Sequence, residues 1–91
     1  MKYIVVFESK QKGKLLYTEA KVIESSRIPR IGEGTRKLCD PPIETVVAEV
    51  YGLPLGMENL VSLKNRNLIK GLEDNDSGGF KLILGKVMAC D

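Results

Sequence analysis

The sequence predicts a mainly β, small single-domain barrel of about five or six strands, with a helix at 57–70 as an open alternative to a hairpin. Three observations carry that expectation. Apolar and polar residues alternate with period two in Lys2–Glu8, Leu15–Glu24 and Ile43–Tyr51. Clusters of Gly, Pro, Asn and Asp separate these runs, as turn chemistry requires. The chain has 91 residues, enough for one modest core, so residues 1–91 are read as one domain.

Each element follows from local residue choice. In Lys2–Glu8, Tyr3, Val5 and Phe7 share one face while Ile4 and Val6 take the other. Apolar residues on both faces suit a central strand or one covered on both sides. Lys10-Gln11-Lys12-Gly13-Lys14 reads as a hairpin turn in which Gly13 can adopt positive φ. Leu15–Glu24 is the returning strand, with Leu16, Thr18, Ala20 and Val22 opposite Tyr17, Glu19 and Lys21. Ser25–Thr35 is irregular, because Pro29 lacks a donor and Gly32 and Gly34 permit tight turns. Arg36–Cys39 is a short strand stopped by Asp40-Pro41-Pro42. Ile43–Tyr51 is the third long strand, ended by Gly52, Pro54 and Gly56.

Met57–Leu72 supports two readings. Met57, Leu60, Val61, Leu68 and Leu72 recur near the helical period. Asn59, Asn65, Asn67 and Gly71 are poor helix formers and fit a hairpin turning at Lys64–Asn67. Glu73–Gly79 is a polar loop, and Phe80–Cys90 a closing strand with a bulge at Gly85.

Arg27-Ile28-Pro29-Arg30-Ile31-Gly32-Glu33, followed by the valine-rich run Ile43–Val50, resembles a pattern in Src-homology-three-like barrel proteins of bacteria and phages. The match spans about 25 residues and is a turn signature. The resemblance implies a small barrel of the kind found in bacteria and phages, and it bears on the fold more than on any activity. It implies no catalytic residues.

Composition excludes much chemistry. The chain has no histidine, which removes His-based acid–base and nucleophilic catalysis. Its two cysteines, Cys39 and Cys90, cannot alone complete a structural zinc site. No apolar run approaches the roughly 18 residues that cross a bilayer, and the N-terminus lacks a signal peptide's apolar stretch. A cytoplasmic protein with reduced thiols and no membrane partner is expected. Cys39 is a poor nucleophile beside Asp40, although Arg36 and Lys37 offset that neighbour. Gly32–Lys37 fits neither common phosphate-loop spacing. Glu73, Asp74 and Asp76 lack the further acidic ligand of a calcium loop. Glu44 and Glu49, five apart on a regular strand, fall on opposite faces and make no acid–base pair. The expectation is a protein that is not an enzyme and carries no cofactor or metal.

Two surfaces remain. Leu53, Leu55 and Met57 form an apolar stretch that, if exposed, suits a protein partner or self-association as a homo-oligomer and, if buried, plugs one end of the barrel. Lys10, Lys12, Lys14, Lys21, Arg27 and Arg30, with Tyr17 for base stacking, form the alternative of single-stranded nucleic-acid binding. Residues 1–30 hold seven Lys/Arg against three Glu, while residues 31–60 hold two against five acidic residues. The net charge of +2 gives no general case for a nucleic-acid binder.

Overall fold

A computed structural model describes residues 1–68 and 81–83. Its elements are β1 (Lys2–Gln11), β2 (Lys14–Glu24), β3 (Gly34–Lys37), β4 (Ile43–Gly52), α1 (Met57–Asn65) and β5 (Lys81–Ile83). The strands form one antiparallel sheet in the order β3-β4-β1-β2-β5. Among the described residues no pairing joins β3 to β5. The sheet is open there, and the barrel closure expected from the strand spacing is not among its pairings.

β1 lies between β2 and β4, which explains its two apolar faces. Tyr3 and Val5 join Val47 in one buried cluster, with Phe7, Ile23 and Val50 packed against it. Ile4 and Val6 join Ala20, Leu63 and Leu68 in a second cluster, flanked by Leu53, Leu55 and Leu60. Helix α1 supplies the second cluster, so that side of the sheet is its helix face. The segment 25–35 runs along the other side, its loop face, where Pro29 lines grooves with Tyr3, Phe7 and Val47.

β1 and β2 are joined by a two-residue turn, with Gln11 paired to Lys14. Lys12 (φ 52) and Gly13 (φ 75) both adopt positive φ, the mirror-image turn whose twist matches paired strands. Buried Gln11 donates through Nε2 to the Pro41 carbonyl at 2.6 Å, tying this end to the proline segment before β4. Buried Ser9 is hydrogen-bonded to Thr45 across β1 and β4 at 2.7 Å. Asp40-Pro41 and Leu53-Pro54 are cis peptides.

Two irregularities break strict alternation. Leu16 is an extra residue of β2 where Ser9 pairs with Tyr17 and Lys10 with Leu15. Ala48 is an extra residue of β4, because Val6 pairs with Glu49 and Phe7 with Val47. The second bulge overturns one expectation. Glu44 pairs with Lys10 and Glu49 with Val6, both on the helix face, so the two carboxylates share a face. Their partners still lie four steps apart along β1, about 13 Å, too far for a paired acid and base.

The helix reading holds for Met57–Asn65, and the hairpin reading fails there. The asparagines that argued against a helix include its stop signal. Asn67 takes left-handed φ (56), and its N–H reaches the Lys64 carbonyl at 3.0 Å. The Leu68 N–H reaches the Leu63 carbonyl at 3.0 Å, and both leucines are buried. These paired bonds with an apolar contact across them form a Schellman cap. Asn67→Ala should therefore cost about 1 kcal/mol in chemical unfolding, while Asn67→Gly should cost nothing. Equal losses in both would contradict the cap.

β3 begins two residues earlier than expected and ends before Leu38. Cys39 is disulfide-bonded, which corrects the reduced-thiol expectation at that residue and removes it as a nucleophile. Cys90, the Glu73–Gly79 loop with its acidic cluster, Phe80 and the bulge expected at Gly85 lie outside the described residues.

Candidate functional site

The loop face presents the most distinctive surface among the described residues. Segment 25–35 is held to β4 by two backbone bonds, Gly32 N–H to the Val47 carbonyl at 2.9 Å and Val47 N–H to the Glu33 carbonyl at 2.7 Å. Within the segment, the Arg30 N–H donates to Glu33 Oε1 at 2.9 Å and the Glu33 N–H to the Arg30 carbonyl at 3.2 Å. Gly32 has φ +94, the left-handed region that glycine tolerates, which lets the chain turn back into β3. The Arg-Ile-Gly-Glu run thus folds as a self-bonded turn anchored to β4.

That turn holds Ile28 and Ile31 outward. They are 67% and 71% exposed, unusual for two isoleucines three positions apart in an ordered loop. Between them and the sheet lies a groove of about 710 Å³, lined by Tyr3, Ile28, Pro29, Arg30, Ile31 and Val50. Pro29 also lines a second groove of about 320 Å³, with Phe7, Ile23, Arg27 and Val47 among its walls. The walls are mainly apolar, and the charged groups at the rim are Arg27, Arg30 and Glu33. The Glu33 carboxylate is already engaged by the Arg30 backbone. Across Ser25–Lys37 the chain carries Arg27, Arg30, Arg36 and Lys37 against Glu33 alone.

The residues expected to contact a protein are divided. Leu53 and Leu55 pack against the helix-face core, whereas Met57 is 74% exposed at the start of α1. The first two seat the helix, and the apolar stretch is not a continuous patch.

The basic residues expected to hold nucleic acid are also dispersed. Lys10, Lys12 and Lys14 stand exposed at the β1–β2 turn. Arg27 and Arg30 follow the far end of β2, about 33 Å away along ten strand residues. Lys21 is exposed in the second half of β2, with its ammonium 3.6 Å from Glu19 and 5.9 Å from the Phe7 ring centroid. Lys10 faces Glu44 across the sheet, and Glu44 faces Arg36. Tyr17 is half-buried opposite Ser9. The hairpin lysines form one small basic tip, and the arginines belong to the grooves.

One polar cluster escaped the sequence reading. Arg66, just past α1, grips Glu49 with two parallel bonds, Nη1 to Oε1 at 2.9 Å and Nη2 to Oε2 at 2.7 Å. The Tyr51 hydroxyl donates to the same Oε1. The Ala48 bulge puts Glu49 and Tyr51 on the helix face, within reach of the helix terminus. The Arg66 bonds hold the Glu49 carboxyl below its ordinary 4.5, against partial burial, and the Tyr51 bond adds to them. The bond to Glu49, then burial, raises the Tyr51 hydroxyl above its ordinary 10.0. The cluster clamps the helix to the sheet. Its carboxylate contribution is complete above pH 4.5 and is lost as pH falls through the lower folded-state value. Its tyrosine contribution is complete below pH 10.0 and is lost as pH rises through the higher folded-state value. Thermal melts across pH should show Glu49→Gln flattening the acid limb and Tyr51→Phe the alkaline limb. Limbs unchanged by these substitutions would contradict the clamp.

Among the described residues, no three His, Cys, Asp or Glu side chains are grouped to hold a metal ion, and no helix is long and apolar enough to cross a membrane. No protein-family model, curated protein or solved structure matches the chain.

Proposed function

We propose that this chain is a non-catalytic binding module whose loop face takes a protein partner. The observation that carries this reading is the pair Ile28 and Ile31, held exposed by a self-bonded turn at the rim of an apolar groove. Outward isoleucines in a well-bonded loop are costly to solubility, and a partner that covers them offsets that cost. The groove walls are apolar with few orienting polar groups, which suits recognition and offers no acid–base pair for catalysis. The interaction surface is centred on Ile28, Pro29 and Ile31, with Met57 outside it.

The test is affinity capture from host lysate, with nuclease added, comparing the wild type, an Ile28→Asp/Ile31→Asp variant and a Lys10→Gln/Lys12→Gln/Lys14→Gln variant. Both substituted sets lie on exposed positions, so the fold should persist. A defined protein lost only from the isoleucine variant supports the reading. Capture that disappears with nuclease, or with the lysine variant alone, overturns it in favour of single-stranded nucleic acid at the hairpin tip.

A further inference from the structure

We infer that the partner segment is acidic: an extended peptide that places apolar side chains in the two loop-face grooves and carboxylates against Arg27 and Arg30. This rests on the binding reading above and adds the chemistry of the ligand.

Three observations lead there. The two grooves share Pro29 as a wall, so they lie side by side. Alternate side chains of an extended peptide are spaced about 6.6 Å apart, which suits one apolar residue in each of two adjacent grooves. The charge at the rim is net positive. Arg27 lines the smaller groove and Arg30 the larger, and both are exposed. Glu33 lines the smaller groove and accepts the Arg30 N–H through Oε1, so one carboxylate stands against the two arginines and the rim is net positive. Lys37, exposed at the end of β3 and paired with Ile43, extends the same sign, while Arg36 faces Glu44 on the helix face. A guanidinium offers paired donors that match a carboxylate, so acidic residues flanking the apolar anchors are the complementary pattern. A basic peptide would meet a net positive rim, two arginines against Glu33, and is disfavoured.

Selection from a displayed library of random twelve-residue peptides tests this directly. The bait is the full chain, with Ile28→Asp/Ile31→Asp as counter-bait. The proposal expects enriched peptides with Asp or Glu beside two apolar residues at alternate positions. Their affinity should fall by roughly tenfold in an Arg27→Gln/Arg30→Gln variant, and it should fall as salt rises. Peptides that depend on Ile28 and Ile31 but show no acidic enrichment would overturn the acidic ligand while leaving the binding reading standing. Peptides indifferent to the isoleucine substitutions, or no enrichment at all, would overturn both. A Arg30→Glu variant keeps the charge claim falsifiable on its own, because it should select against acidic peptides and towards basic ones.

Discussion

Leu63→Ala should remove about 2–5 kcal/mol of stability, the range for truncating a fully buried leucine. Leu63 is 0% exposed and is the helix residue that joins Ile4, Val6 and Ala20 in the helix-face core. It is also the carbonyl that accepts the capping bond from Leu68. Truncation opens a cavity where the helix meets the sheet and weakens the apolar contact inside the cap. A domain of this size has roughly 5–15 kcal/mol in hand, so the loss is a large share of the total. Urea unfolding should show a lower midpoint. Val61→Ala, on the exposed side of the same helix, should stay within about 0.5 kcal/mol. If both variants unfold alike, α1 is not docked through Leu63.

Gly34→Ala should cost about 1–3 kcal/mol, and should weaken partner binding with it. A Cβ at Gly34 would sit 2.1 Å from the Thr45 carbonyl oxygen and 2.9 Å from Val46 Cγ1. Backbone cannot yield as a flexible side-chain tip does, so β3 must move away from β4. That movement pulls on Glu33 and Gly32, whose bonds to Val47 anchor the loop. Gly52→Ala is the control, since a Cβ there meets nothing within 4 Å. Thermal melts of the two variants decide the point. A Gly34→Ala protein as stable as the Gly52→Ala protein would mean that β3 does not approach β4 so closely.

The strands were legible because their physics is local. Tyr3 to Phe7 carries apolar residues on both faces, and that strand is central. Lys12-Gly13 between two alternating runs is a hairpin turn. What escaped depended on tertiary choice. Val46-Val47-Ala48 reads as unbroken strand, yet one of its residues is inserted, and every later residue of β4 changes face. That single residue moves Glu49 to the helix side and brings it to Arg66, seventeen positions away. Asn67 looked like a helix breaker because propensity describes helix interiors, while its left-handed conformation closes the helix end. For Leu53 and Leu55 the loop setting left surface and plug equally open, and packing against the helix-face core decides for burial. Ile28 and Ile31 were read as part of a turn signature, and nothing in their spacing distinguishes an isoleucine turned outward from one turned in.

Whether a partner occupies the proposed loop-face surface can be read from amide chemical-shift mapping of the isotope-labelled chain, titrated with the protein captured from lysate. Perturbations should concentrate at Tyr3, Arg27–Glu33 and Val50, with the Lys10–Lys14 turn unaffected. Perturbations confined to that turn, or to Met57 and the exposed side of α1, would contradict it.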